Sequence, residues 1–465
     1  MCNRFLQTHK LDTVLKHVTV PLENTPRAFV NHPQSPYFYI VQSDNNTLSA
    51  HNRKLLTAQQ NSNGDTNGES KAEELPPKEF GYPKAKGHWA SCLQAVNPIG
   101  FDSSTGPILT DEEDGRRLEP EGIVATEYFD ANECPTSLTA VTFENYPDEV
   151  FLVVGTALDL VVAPRTHSGG YIRVYRLNDQ GRSFEFVHRT KVDSPPTAVA
   201  AFQGKVLVAE GRNLLMYGLG IRQMLRKSQA LKAVPNLITS IDVMGSRIVL
   251  GDVQESVTFL VYKPIENKLI PFADDSVARW TTATTMVDYD TVAGGDKFGN
   301  VWLVRAPKKA SEEADEEGAA GHLLNEKGYL GGTPNRLNLL IHNFTHDIPT
   351  SLLKTSLISG QKEMLIHAGL QGSITALIPF DSREDANFFQ QLEQEMRKEE
   401  PPLVGRDHLV YRGYYVPVKG VVDGDLCERF FLLDRERRER VAGELERSVR
   451  EVVRKVSDLR TKFAF

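Results

Sequence analysis

The chain alternates short apolar runs with clusters of Gly, Asn and Asp, and it does so at a fixed spacing. Five segments share one order: a Thr or Ser, a short strand, a turn, a second strand, a loop and a third strand. They are "SLTAVTFENYPDEVFLVVGTAL" from Ser137, "TAVAAFQGKVLVAEGRNLLMYGL" from Thr197, "TSIDVMGSRIVLGDVQESVTFLVY" from Thr239, "TATTMVDYDTVAGGDKFGNVWLVR" from Thr282 and "TSLLKTSLISGQKEMLIHAGLQGSITALIPF" from Thr350. A weaker sixth copy, "TPRAFVNHPQSPYFYIVQSDNNTL", starts at Thr25. The intervals from Thr197 to Thr239 and from Thr239 to Thr282 are 42 and 43 residues. That is the period of a four-stranded propeller blade. "SFEFVHRTKVD" and "NKLIPFADD" fall where fourth strands belong. One blade cannot bury both faces of its sheet, so several must stack around an axis. The pattern predicts an all-β fold over residues 1–380, a seven-bladed, WD-repeat-like β-propeller. "HWASCLQAVNP" and "GIVATEYFD" would supply strands of its first blades. An array of β-sandwiches is the alternative.

Where the period stretches, the added sequence is polar. Residues 52–80 and 307–328 read as exposed or disordered insertions. The acidic run "EEADEE" in the second is expected to be a solvated surface.

After Phe380 the period changes. "SREDANFFQQLEQEMRKEE" predicts a helix: Ser382 stands three before Asp385, and Phe388, Leu392 and Met396 recur every fourth residue. Pro401 and Pro402 would end it. "DHLVYRGYYVPV" alternates like one more strand, returning to the propeller near 408–416. "DRERRERVAGELERSVREVVRKVSDLRTKF" reads as one amphipathic helix with a seam of Leu445, Val449, Val452, Val456, Leu459 and Phe463. Residues 381–465 are therefore expected to form a small C-terminal α-helical domain. Its seam either docks on its own propeller or grips a partner.

Composition narrows the function. The chain is 40% hydrophobic and 25% charged, ordinary for a soluble globular protein, and its net charge of −8 argues against a broad nucleic-acid surface. That balance leaves room for a local basic patch. The four cysteines, Cys2, Cys92, Cys134 and Cys427, form no CxxC pair, so they read as buried small hydrophobes in a reducing compartment. No apolar run of membrane-spanning length occurs, and the first twenty residues lack the core of a signal peptide. The reading is soluble and intracellular.

Candidate chemistry fails on specifics. In "TVAGGDKFGNVWLVR", 291–305, Gly294 and Gly299 have the spacing that opens a P-loop, but Asn300 and Val301 follow instead of Lys and Ser or Thr. Asp288 and Asp290 begin like a calcium loop, but Val292 takes the third ligand position. The stretch reads as a hairpin whose glycines supply positive φ and whose lysine points to solvent. His342 and His346 have the spacing of helical zinc ligands, yet lie in a strand-to-loop segment. Asp274 and Asp275 read as turn residues, and Asp407 with His408 is a lone acid/base pair. The expectation is no catalytic, cofactor-binding or metal-binding residue, and no small-molecule substrate.

The segments 251–307, 388–430 ("FFQQLEQEMRKEEPPLVGRDHLVYRGYYVPVKGVVDGDLCERF"), "TPRAFVNHP", "YPKAKGHWAS" and "DLRTKFAF" together resemble the splicing factor 3b subunit 3 family, called Rse1 in fungi. The resemblance is collinear over nearly all of the chain and falls on the last third of that family's length. The superfamily also holds the large damaged-DNA-binding protein and the large subunit of cleavage and polyadenylation specificity factor. Its shared elements stand here as Gly251, Asp252 and Ser256, and as Asp423 to Leu426, while "FADDSVARW" and "GGDKFGN" favour the splicing branch. The resemblance implies a non-catalytic nuclear scaffold of splicing factor 3b in the U2 small nuclear ribonucleoprotein. The implied partners are that complex's helical-repeat largest subunit and a small helical subunit, with RNA contact indirect or weak and no membrane. The alternatives are a propeller adaptor of a cullin ubiquitin ligase, or of the 3′-end cleavage and polyadenylation complex.

Overall fold

A computed structural model describes residues 2–6, 17–48, 87–97, 122–130, 132–316, 332–357, 361–400 and 405–463. The chain divides into two compact units, Met1–Gln7 with Lys16–Ile241, and Asp242–Phe465. The expected insertion at 52–80 lies outside the described residues.

The first unit holds a hairpin, β1 (Cys2–Leu6) and β2 (His17–Pro21), and three antiparallel sheets. The first sheet is β3 (Pro26–Asn31), β4 (Phe38–Asn45), β5 (Trp89–Val96) and β6 (Ile123–Tyr128). The second is β7 (Glu133–Val141), β8 (Phe151–Leu158), β9 (Gly170–Asn178) and β10 (Ser183–Val192). The third is β11 (Pro196–Phe202), β12 (Lys205–Glu210), β13 (Asn213–Leu219) and β14 (Leu225–Lys232). In each sheet the strands pair in sequence order, the mark of a propeller blade.

Three more blades follow. β15 (Ile238–Met244), β16 (Arg247–Asp252), β17 (Ser256–Lys263) and β18 (Lys268–Asp274) form the fourth, with the short β22 (Asn335–Arg336) added parallel to β18. β19 (Thr281–Asp288), β20 (Thr291–Asp296), β21 (Asn300–Arg305) and β23 (Asn338–Phe344) form the fifth. β24 (Pro349–Thr355), β25 (Met364–Gly369) and β26 (Ile374–Leu377) form a three-stranded sixth.

The fold is thus all-β and of the β-propeller class, with six blades among the described residues where seven were expected. "HWASCLQAVNP" and "GIVATEYFD" are the reason for the difference. They are β5 and β6, the third and fourth strands of the blade that starts at β3, so they add no blade of their own. Middle strands are buried along their whole length, as in β5, β16 and β17, because both sheet faces are covered. The Thr or Ser that opens three of the repeats has a structural use. The hydroxyls of Ser137, Thr197 and Thr282 donate to the backbone carbonyls of Pro196, Ile238 and Pro349, each on the first strand of the next blade.

The second insertion departs from expectation at its start. Lys308–Asp315 form a helix, α1, whose Ala310 and Ala314 are buried with Val249, Phe272, Val292 and Trp302. Arg247, fully buried, anchors it. Its guanidinium lies 4.6 Å from the ring centroids of both Phe272 and Tyr289, and donates to the Ser311 carbonyl at 2.9 Å and hydroxyl at 2.8 Å. Asp315 pairs with it at 3.0 Å.

The C-terminal segment holds α2 (Arg383–Glu399), α3 (His408–Tyr411), α4 (Gly424–Glu428), α5 (Arg435–Glu444) and α6 (Val449–Lys462). Ser382 caps α2 by accepting from the Asp385 N–H at 3.0 Å, and Phe388, Leu392 and Met396 are buried on one face. The expected single terminal helix is two. Glu446 takes φ 53°, a left-handed conformation that ends α5, and the chain restarts at Val449. The seam survives the break: Leu445, Val452 and Val456 pack with Phe388, Leu392, Cys427 and Phe430. It packs into this helical cluster, and Val456 and Leu459 also line a pocket with Ile341, Ala376 and Leu377 of the blades.

Candidate interaction surface

The hairpin of β20 and β21 and the segment after α3 build one aromatic site. At the end of β20, Asp296 organises the turn. Its Oδ1 accepts from the backbone N–H of Phe298 at 2.9 Å and of Asn300 at 3.0 Å, and the Asn300 amide donates to its Oδ2 at 2.8 Å. Gly299 holds φ +91°, the one glycine of "GGDKFGN" that needs it. Gly294 and Gly295 are strand residues instead. Each is small because a neighbour crosses it, Trp302 at Gly294 and Pro349 at Gly295. Lys297 does not simply point to solvent: its Nζ sits 3.1 Å from the Trp280 ring centroid, a cation–π contact.

Against this turn lies the segment expected as a strand near 408–416. It is not one. Asp407 caps α3 by accepting from the Leu409 N–H at 2.8 Å, and the chain then returns to β23 through isolated bonds. Phe344 N–H donates to Arg412 O at 2.9 Å, and His342 and Lys419 exchange backbone bonds of 3.0 and 2.8 Å. Gly413 and the aromatics after it replace a ladder by side-chain contacts. Tyr414 stacks on Phe344 at 5.5 Å and on Phe298 at 6.1 Å, and Tyr411 stacks on His346 at 4.0 Å. The Tyr415 hydroxyl donates to Asp296 Oδ2; burial first, then that carboxylate, raise its pKa.

Beneath lie buried polar groups. Arg279 is fully buried, its Nε 2.8 Å from Asp275 and its guanidinium 5.1 Å from the Trp302 ring centroid. His342 is fully buried with neither ring nitrogen hydrogen-bonded among the described residues. Burial, then Arg279, push its imidazole down to about 4, so it is neutral. The outer rim is exposed: Val410 is 62% accessible, Tyr414 60% and Tyr411 48%. The result is a rigid, aromatic surface patch, the kind that anchors a protein partner.

The sequence candidates for chemistry separate. His342 is interior while His346 lies past the strand against Tyr411, and among the described residues no group of three or more His, Cys, Asp and Glu is placed to hold a metal. Asp407 pairs with Arg397 at 2.9 Å, whereas His408 lies 3.0 Å from Asp423. Asp288 pairs with Arg305, Asp274 with Arg336 and Asp275 with Arg279. Cys92, Cys134 and Cys427 are buried and form no disulfide among the described residues. No described helix is long and apolar enough to cross a membrane. The elements "GD...S" and "DGDL" are turn devices. Asp252 accepts from the N–H groups of Gln254 and Glu255, Ser256 takes φ 70° and donates to Asp275, and Asp423 caps α4.

Successive propeller blades followed by a capped helical segment that contains an Asp-Gly-Asp-Leu turn define a class. The chain belongs to the family described as the CPSF A subunit region, which matches residues 118–432. Within it, the chain is 51% identical to the pre-mRNA-splicing factor rse1 of Emericella nidulans over 463 residues, 99% of the chain and 36% of that relative. It is 44% identical to the pre-mRNA-splicing factor prp12 of Schizosaccharomyces pombe over 96% of the chain, and 40% identical to splicing factor 3B subunit 3 of Danio rerio over 99% of it. The chain spans little more than a third of the length of these relatives, 34% to 37%.

Proposed function

We propose that the chain is the C-terminal propeller and helical region of a splicing factor 3b scaffold subunit, acting in the nucleus within the U2 small nuclear ribonucleoprotein during branch-site recognition. The observation that carries this reading is collinear identity of 51% over 99% of the chain to a pre-mRNA-splicing factor. In this reading residues 1–380 act as the propeller and residues 381–465 as a helical domain. The scaffold is non-catalytic, uses no cofactor, and contacts the largest helical-repeat subunit and a small helical subunit of the complex. The aromatic patch of Phe298, Val410, Tyr411 and Tyr414 is the contact surface that the geometry favours, since it is exposed yet fixed by stacking.

The test is affinity purification of the tagged full-length protein that contains this chain, followed by identification of the co-purified subunits. Recovery of the largest splicing factor 3b subunit is expected, with less of it from Tyr411→Ala/Tyr414→Ala. Recovery of a cullin or of polyadenylation subunits in its place overturns the reading.

A further inference from the structure

In a chain of net charge −8, residues 211–241 contain five arginines and lysines and no Asp or Glu. The five are Arg212, Arg222, Arg226, Lys227 and Lys232, and all are exposed. Three of them lie on β14, the outer edge strand of the third blade, and Arg222 is on the turn that leads into it. None has an acidic partner among the described residues. Cations elsewhere on the surface are commonly paired: Lys308, Lys309, Arg397, Arg435 and Arg440 each face a carboxylate.

The edge strand also borders a cavity. Arg212, Lys227 and Lys232 line an open cleft of about 720 Å³, whose lining also includes Asp193, Ser194 and Glu210. Glu210 is already engaged, its Oε1 accepting from the backbone N–H groups of Asp193 and Ser194 at 3.0 and 3.1 Å. The register explains why Lys227 and Lys232 share one face. They pair with Tyr217 and Asn213, and the extra residue Ser228 bulges between Lys227 and Gln229. Along the strand the two lysines are about 13 Å apart, because the bulge takes up one residue.

We infer that this basic edge and cleft form a binding surface for the sugar–phosphate backbone of single-stranded RNA. The scaffold reading assigns no such surface, and the inference stands on charge and geometry independently of it. Unpaired cations spread along an extended strand match a polymer of evenly spaced phosphates better than they match a small anion, which needs a closed cradle. A protein partner is disfavoured because the cleft has no aromatic side chain on its lining to serve as a buried anchor. For the same reason the surface reads no bases: it grips sequence-independently, through counterion release.

The test measures binding of a fluorescein-labelled oligouridylate to the 465-residue chain by anisotropy across a salt series. Arg212→Glu/Lys227→Glu/Lys232→Glu is compared with the control reversal Lys308→Glu/Lys309→Glu/Arg435→Glu. The cleft variant is expected to bind about tenfold or more weakly, with a log–log salt slope shallower by about 2, since each single-strand phosphate contact contributes about 0.7. The control should retain affinity. Lys227→Gln, too mild to unfold an exposed strand, should weaken binding in the same direction. No binding at low salt, or equal loss in the control, overturns the inference. So does displacement of the RNA by polyglutamate at equal charge concentration, which would mark the cleft as a site for an acidic protein.

Discussion

Trp302 lies across Gly294. The two residues pair between β21 and β20, and a Cβ built on Gly294 would stand 2.2 Å from the indole ring. The ring is fully buried, sits over the Arg279 guanidinium and belongs to the cluster that also receives α1. The glycine is therefore required by packing, not by backbone conformation. Gly294→Ala is expected to destabilise the protein by about 2–3 kcal/mol through overpacking. Urea unfolding followed by tryptophan fluorescence measures it. A loss below that of Gly299→Ala, whose positive φ alone predicts about 1–3 kcal/mol, would show that the ring moves aside freely.

Arg247 predicts a local rather than global effect. Its guanidinium is held between Phe272 and Tyr289 and fastens Ser311 and Asp315 of α1. Arg247→Met keeps apolar bulk between the rings but removes the donors. Charged hydrogen bonds of about 1.5–3 kcal/mol are lost, so amide exchange in residues 308–315 should rise by about tenfold or more while β20 is unchanged. Unchanged exchange in α1 would mean that burial of Ala310 and Ala314 alone holds the helix.

The blades were legible because their signal is periodic. The 42- and 43-residue intervals from Thr197 to Thr282 locate the first strands of the third, fourth and fifth blades, and "NKLIPFADD" is the fourth strand of its blade. The blade count was not legible, because long polar stretches separate β4 from β5 and β5 from β6, and the pieces looked like separate blades. α1 was hidden because its sequence, "KKASEEAD", is polar on three sides; only Ala310 and Ala314 at helical spacing hint at a buried face. The segment near 408–416 alternates like a strand, yet no alternation rule distinguishes tyrosines paired across a ladder from tyrosines stacked on Phe298 and Phe344. The aromatic patch was thus missed, although "YRGYY", "HNFTH" and the Phe298 of "GGDKFGN" carry its rings.

Tyr415 reports whether that segment is fastened by its hydroxyl. Asp296 keeps its bonds from Phe298 and Asn300 when the tyrosine hydroxyl is removed, so the β20–β21 turn stays intact. Tyr415→Phe should cost about 1.5–3 kcal/mol, the range for a bond to an ionised acceptor. The loss should appear first at the backbone bonds between His342 and Lys419, as faster exchange of the Lys419 amide. If that amide is unchanged, ring stacking by Tyr411 and Tyr414 is sufficient to hold the chain.

His342 gives the protein an acid-sensitive term. Its pKa falls from 6.5 to about 4 in the folded state because burial and the Arg279 charge disfavour the imidazolium. A depressed histidine binds its proton more tightly when unfolded. Its contribution is therefore fully present above pH 6.5 and is lost as pH falls through about 4. The shift corresponds to about 3 kcal/mol at most. His342→Gln keeps a polar side chain in β23 without a titrating ring. The stability difference between wild type and variant, measured by urea unfolding at about pH 7 and about pH 4, should shift by about 2–3 kcal/mol in favour of the variant at the lower pH. A difference that does not change with pH would place the acid sensitivity elsewhere, in carboxylates such as Asp347 and Asp385 whose partners hold their pKa values low.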